Sequence, residues 1–100
     1  LTLHIFVATI ISMKIEFDPE KNRVNIDKHQ IPLTEAHRVE WDTLWCKEDV
    51  RRDYNETRMI GYAYIGLRLH CVIYTDRGEV RRIISLRKAN KRELKSYAEA

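Results

Sequence analysis

Cysteine is scarce in this sequence: Cys46 and Cys71 stand alone, with no CxxC pair and no histidine at metal-ligand spacing. That excludes a disulfide framework and a zinc module. It fits a reduced, cytosolic chain in which both cysteines serve as small apolar residues. Three glycines and two prolines leave no linker, repeat or low-complexity tract. Walker, GxGxxG, HExxH and GxSxG motifs are all absent, which removes the chemistries that depend on them. No run approaches the roughly 18 apolar residues of a membrane span. The expectation is therefore no cofactor, no bound metal and no membrane contact.

What is present is charge, unevenly spread. The 100 residues carry a net charge of +3. Residues 77–95 hold eight basic side chains (Arg77, Arg81, Arg82, Arg87, Lys88, Lys91, Arg92, Lys95) against two acids (Glu79, Glu93), so this segment is +6 and the remainder −3. Such asymmetry points to a polyanion, nucleic acid first, with a solvated basic face as the plainer explanation.

The length suggests one domain that buries roughly 60–70% of its unfolded surface. Its opening, LTLHIFVATIIS, is apolar but has neither a basic n-region nor a small-residue cleavage site, so it is a poor signal peptide. Residues 1–12 read as an extension upstream of a start at Met13, with the domain spanning 13–100.

The local signals give the order β-α-α-β-β-β-β-α and an α+β fold. Met13–Phe17 reads as a strand. Asp18-Pro19 then opens a helix to about His29, with aspartate as cap and proline at the first helical position. A second helix is expected over about Leu33–Trp41, followed by a short strand, Leu44–Lys47. Glu48–Thr57 is a polar loop. Arg58–Ile65 and Leu69–Thr75 are strands, and Asp76-Arg77-Gly78-Glu79 is a hairpin turn. The chain's organising strand comes next, Val80 to Ala89. Asn90 with Glu93 three residues later is a capping-box pattern for a last helix to about Glu99. Tight hairpins predict antiparallel pairing, with the helices on one face of the sheet. Simple alternation along the organising strand puts Arg81, Ile83, Ser85 and Arg87 on one face, and Arg82 with Ile84 and Leu86 on the other.

Arginines on a sheet strand need an anionic partner, because arginine is rarely buried unpaired. Arginine's planar fork suits a phosphate whose charge rises in a transition state. A basic set without metal ligands can support RNA cleavage by the substrate's own 2′-hydroxyl. Arg87, at the strand's end beside a helix N-terminus, is the leading candidate. Arg58 comes just after the polar loop with Glu56 nearby; a mutual surface pair is the alternative. Arg82, among apolar neighbours, reads as half of a structural ion pair. His29 closes the first helix, where the helix end favours its protonated form, and is a candidate acid or base or else a structural cap. Lys21 and Lys28 face outward together, as phosphate contacts or as solvated lysines. All these arginines are expected to gather around one phosphodiester.

The order of motifs resembles a known family. Ile15-Glu16-Phe17-Asp18-Pro19-Glu20-Lys21, then Asn25, then Lys28-His29, is similar to the opening of the BrnT family of bacterial toxins. Leu33 with Glu35-Ala36, then Glu56-Thr57-Arg58, then Tyr74-Thr75, Arg77-Gly78, Arg82 to Ala89 and Glu93, resembles the rest of its signature. The resemblance covers Met13 to the end. It implies a RelE-like fold and a ribonuclease toxin of a type II toxin–antitoxin pair that arrests growth. The implied partner is a BrnA-like ribbon-helix-helix antitoxin, in a heterotetramer that represses its own operator DNA. It also implies catalytic roles for Arg58, Arg82, Arg87, Glu56 and His29 and a part for Lys28. RNA contacts are expected from Lys28, with Lys21 on the same helix face, and from Lys88 and Lys91 in the basic segment. Two positions depart from the pattern. Gln30 stands where the family has glycine, at a helix end that favours a left-handed residue. Pro32 replaces the small residue that caps the second helix.

Overall fold

The computed structural model describes residues 13–100; the expected upstream extension, residues 1–12, lies outside them. The elements are β1 (Lys14–Phe17), α1 (Pro19–His29), a 3-10 helix (Leu33–Arg38), β2 (Glu40–Glu48), β3 (Met59–Ile65), β4 (Arg68–Arg77), β5 (Val80–Lys88) and α2 (Lys91–Glu99). Asp18 caps α1 as its sequence suggests, accepting the Glu20 N–H at 2.8 Å, with Pro19 in the first turn. Gln30 ends the helix in the left-handed region (φ 57°, ψ 32°). A non-glycine residue there costs about 1–2 kcal/mol. Its backbone N–H to Ile26 O (2.9 Å) and its side-chain amide to Asp27 O (3.1 Å) offset part of that cost.

The second helix differs from its expectation. It is a single 3-10 segment that stops at Arg38, and Trp41 already belongs to a nine-residue strand, β2, longer than Leu44–Lys47. Trp41, Thr43 and Trp45 favour extended backbone, which ends the helix early. Pro32 supplies no side-chain cap. Asn22 does so from α1, its Oδ1 accepting the Leu33 N–H at 2.7 Å.

The five strands lie in the order β1-β5-β4-β3-β2. The sheet is mixed rather than antiparallel throughout: β1 runs parallel to β5, and all other neighbours are antiparallel. The position of α1 accounts for the parallel pair. The chain continues past Phe17 into α1, which flanks the second half of β5, so β1 must run in the same direction beside the first half.

The main core lies on one face of the sheet, where Ala63, Val72, Tyr74, Ile83 and Leu86 meet Leu33, Ala36 and Val39. Ile15 and Phe17 close its β1 side. α2 lies on the opposite face, which corrects the expectation that all helices share one. Cross-strand partners point to the same side of a sheet. Tyr62, Cys71 and Arg87 are such partners and point away from Val72 and Leu86. Glu93 of α2 bonds both Tyr62 and Arg87, and Tyr97 packs edge-on against Tyr64 at 5.6 Å. Leu69, Cys71 and Ala89 are buried as well.

One irregularity decides the placement of the arginines. The β4–β5 register passes from Tyr74↔Ile83 to Ile73↔Ser85 and skips Ile84. An extra residue of this kind reverses the alternation beyond it. Ile83 and Leu86 therefore both face the core, and Arg82, Ser85 and Arg87 share the other face. Simple alternation had separated Arg82 from Arg87.

Candidate functional site

The face opposite the core is a lattice of cross-strand rows. Thr75 and Arg82 form one row, with Glu16 beyond Arg82 on β1. Alternation from Met59 adds Arg58 to the same row. Ile60, Ile73 and Ser85 form the next, with Lys47 at its β2 end. Trp45, Tyr62, Cys71 and Arg87 form the third. At one strand every ~4.8 Å, Arg58 and Arg82 are about 10 Å apart at the backbone, and Arg82 and Arg87, opposite residues four apart on β4, about 14 Å. The three arginines thus share a face but not a single point. They span more than one phosphate rather than ringing one.

Each arginine is held differently. Arg87 forks onto Glu93, Nη1 and Nη2 each donating at 2.8 Å, and Nη1 also donates to Lys88 O at 3.2 Å. Among the described residues its Nε–H and the neighbouring Nη2 hydrogen have no acceptor, which leaves a second, side-on fork. Glu93 also accepts from the Tyr62 hydroxyl (3.1 Å) and the Asn90 N–H (2.9 Å), which completes the capping box of α2. These bonds, Arg87's first, hold the Glu93 carboxyl down to about 2. Arg82 donates to Glu16 at 2.7 Å, a half-exposed version of the structural pair its neighbours suggested.

Arg58 is not paired with Glu56. Glu56 takes Arg77 instead, at 3.2 Å, and accepts weakly from the Thr75 hydroxyl. The Arg58 guanidinium lies 3.8 Å from the centre of the Tyr54 ring, and its Nε is buried without an acceptor among the described residues. Its support comes from the preceding loop. Asp49 is buried and accepts from Arg51 (2.8 Å) and the Tyr54 hydroxyl (3.2 Å), which holds its carboxyl far below the usual range. The Asp49 N–H in turn donates to Arg58 O at 2.7 Å.

A hollow of about 390 Å³ opens where α1 ends beside β5, lined by Lys28, His29, Gln30, Ile31, Arg87 and Lys88. It unites four of the expected residues: Lys28, His29, Arg87 and Lys88. Its geometry depends on Asn25. That buried side chain donates to Leu86 O and Ile31 O, both at 2.8 Å, and accepts the Leu86 N–H at 3.0 Å. β1 pairs with β5 only as far as Ile83, so Asn25 satisfies the strand's free edge beyond it. The end of α1 is thereby fixed beside Arg87. Burial, then the charges of Arg87 and Lys28, push the His29 imidazole below its ordinary value. Near neutral pH it is a free base, not the imidazolium that the helix end alone would favour.

Lys21 and Lys91 are exposed and lie outside the hollow's lining. Among the described residues no three His, Cys, Asp or Glu side chains gather as a metal site, and no helix is long and apolar enough to cross a membrane.

Residues 17–93 match the family model described as the ribonuclease toxin BrnT of type II toxin–antitoxin systems. The chain belongs to the BrnT family. Its fold is similar to the 1.1 Å crystal structure of the Brucella abortus ribonuclease toxin BrnT, with a TM-score of 0.62 over 79% of this chain and 99% of that one, at 24% identity. No match is found among curated proteins. The BrnT match contains every candidate site residue from Lys21 to Lys91. It also contains Asn25 and Tyr62, which the sequence did not mark as parts of the site. Asn25 carried a signal only through the resemblance, whose opening motif includes it. Tyr62 had none, because its value comes from the row it shares with Arg87.

Proposed function

We propose that this BrnT-family, RelE-like chain is a metal-independent endoribonuclease toxin, and that its substrate strand lies along the arginine-bearing face and enters the hollow beside Arg87. The observation that carries the reading is the common face of Arg58, Arg82 and Arg87, with Arg87 meeting Lys28, His29 and Lys88 at one end. In the proposed reaction the ribose 2′-oxygen attacks the adjacent phosphorus. The 2′-O–P bond forms as the P–O5′ bond breaks. The 2′-hydroxyl proton passes to neutral His29, and water protonates the departing 5′-oxygen. The products are a 2′,3′-cyclic phosphate and a 5′-hydroxyl. A neutral imidazole suits the base role, since a general base must be unprotonated to take up the hydroxyl proton.

Arg87 stabilises the phosphorane through its free Nε/Nη2 fork while Glu93 holds the other edge of the guanidinium. Lys28 and Lys88 add positive charge to the hollow. Arg58 and Arg82 hold flanking phosphates, and Lys21 and Lys91 extend the basic surface. Glu56, paired to Arg77, orders the strand ends below Arg58 rather than transferring a proton. Metal independence rests on the nucleophile being the substrate's own hydroxyl. The partners proposed with this activity are RNA and a BrnA-like ribbon-helix-helix antitoxin. The antitoxin would join the toxin in a heterotetramer that binds its operator and represses its own transcription.

The test is cleavage of a single-stranded RNA by purified protein in EDTA. Cleavage should persist, and Arg87→Ala should slow it on the order of 100-fold or more, as loss of a transition-state donor does. Activity that disappears in chelator and returns with magnesium would overturn the mechanism. A second reading has a specific observation behind it: Arg82 and Arg87 are both already paired to carboxylates. If wild type and Arg87→Ala are equally inert on RNA yet bind it equally well, the chain is a non-catalytic co-repressor module.

A further inference from the structure

We propose that the strip of sheet between the Arg58–Arg82 row and the Trp45–Tyr62 pair seats unpaired nucleobases of single-stranded RNA, with the Trp45 indole as the stacking platform. This rests on the nuclease reading and adds how the substrate is gripped away from the scissile bond.

The two tryptophans of the chain differ in kind. Trp41 is partly buried, packed edge-on to Tyr74 at 6.0 Å and covered by the Arg81 guanidinium at 4.8 Å. It is structural. Trp45 is 42% exposed on the edge strand β2, at a position where burial would be worth a few kcal/mol to so large a side chain. One side of its ring is occupied: it stacks on Tyr62, its cross-strand partner, with centroids 6.4 Å apart and planes 29° from parallel. Tyr62 is fixed in turn by its hydrogen bond to Glu93. The result is a partly exposed indole braced by a tyrosine that is itself fixed.

The strip beside it has the composition that a single strand requires. Its floor is Ile60, Ile73 and Ser85, all partly exposed. Its margins are cationic, with Arg58 and Arg82 along one side, Arg87 at one end and Lys47 at the other. On the cross-strand rows of this face and the groups bonded to them, six cations (Lys14, Lys47, Arg58, Arg77, Arg82, Arg87) stand against four carboxylates (Glu16, Glu40, Glu56, Glu93). Proteins that hold single strands combine such margins for phosphates with aromatic faces for bases. From Trp45 to Arg87 is three strand spacings, about 14 Å. A base on the indole therefore belongs to a nucleotide near the one cut, not to that nucleotide itself. The excess positive charge favours a polyanion over an apolar protein segment as occupant.

The experiment uses the full chain and an uncleavable 2′-O-methyl oligouridylate, beside an abasic oligomer of equal length and charge. Trp45→Ala should weaken binding of the base-bearing oligomer roughly tenfold, and Trp45→Phe less than about threefold, since stacking tolerates any aromatic face. The abasic oligomer should bind wild type and Trp45→Ala alike. Indole emission should be quenched on binding to wild type and unchanged in Trp45→Phe, which keeps only Trp41. Equal affinity of wild type and Trp45→Ala for the base-bearing oligomer overturns the proposal. So does a result in which that affinity holds while Trp45→Ala converts an associated form of the chain to monomer in gel filtration, because the patch would then be a protein-docking surface. Because the oligomer cannot be cleaved, the binding result is independent of catalysis. Failure of wild type to cut ordinary RNA would sink the nuclease reading and leave this measurement standing.

Discussion

At His29 two physical effects oppose each other. The C-terminus of α1 favours an imidazolium by about 0.3–1 kcal/mol. Burial, together with the charges of Arg87 and Lys28, acts the other way and prevails, so the folded-state value lies below 6.5. That fixes the sign of the linkage. Below pH 6.5 the unfolded chain takes up a proton that the folded chain resists. His29 therefore costs no stability above that pH and progressively destabilises the fold as pH falls toward its folded value. The expected measurement is an imidazole titration by NMR with a midpoint below 6.5, moving upward in Lys28→Met because one repelling charge is gone. A wild-type midpoint above 6.5, or no movement in the variant, would contradict this account and remove the free base from the proposed mechanism. The neighbouring Gln30 was more legible in the sequence. With glutamine in glycine's place, either the residue took left-handed backbone or the helix ended differently, and Gln30 takes the left-handed backbone.

The elements that form from local signals were readable, and those that depend on pairing were not. Asp18-Pro19 and Asn90…Glu93 announced the starts of α1 and α2, and the β3–β4–β5 hairpins are dictated by their turns. The bulge at Ile84 has no signature of its own: Ile84 is as strand-prone as Ile83, and only register against β4 makes it the extra residue. That one residue decides whether Arg82 and Arg87 share a face. The side of the sheet taken by α2 was hidden for the same reason, since it depends on Tyr62, Tyr64 and Arg87 being cross-strand neighbours or near neighbours. Asn25 is the element-scale joint, binding helix to strand through three hydrogen bonds. Asn25→Ala would leave Leu86 N–H, Leu86 O and Ile31 O without that partner. At ~1–3 kcal/mol for each buried group left unsatisfied, partly relieved by water, the loss should be about 3 kcal/mol in urea denaturation. Amide exchange at Leu86 should quicken with it. A loss under about 1 kcal/mol would mean that α1 is held against β5 by its apolar contacts alone.

Across the whole molecule, half of the +6 of residues 77–95 is answered from outside that segment. Glu56 takes Arg77, Asp76 takes Arg81 and Glu16 takes Arg82, all acids outside that segment. The segment's charge was legible in the sequence; its neutralisation was not, because the partners lie up to 66 residues away. Arg58, Lys28 and Lys88 are without a carboxylate partner among the salt bridges of the described residues, and Arg87 keeps one free fork. If these four groups and Arg82 meet phosphates, RNA binding should neutralise about five phosphates. The logarithm of affinity should then fall with the logarithm of salt concentration at a slope of about −3.5, since each phosphate contact on a single strand contributes about −0.7. Arg58→Gln should reduce that slope by about 0.7 and weaken all sequences alike, because a phosphate contact carries no base information. Lys91→Gln should leave the slope nearly unchanged, as Lys91 opens α2 outside the hollow's lining. If the two variants had equal effects, binding would be set by overall charge. The common face made by the bulge would then have no special part in holding RNA.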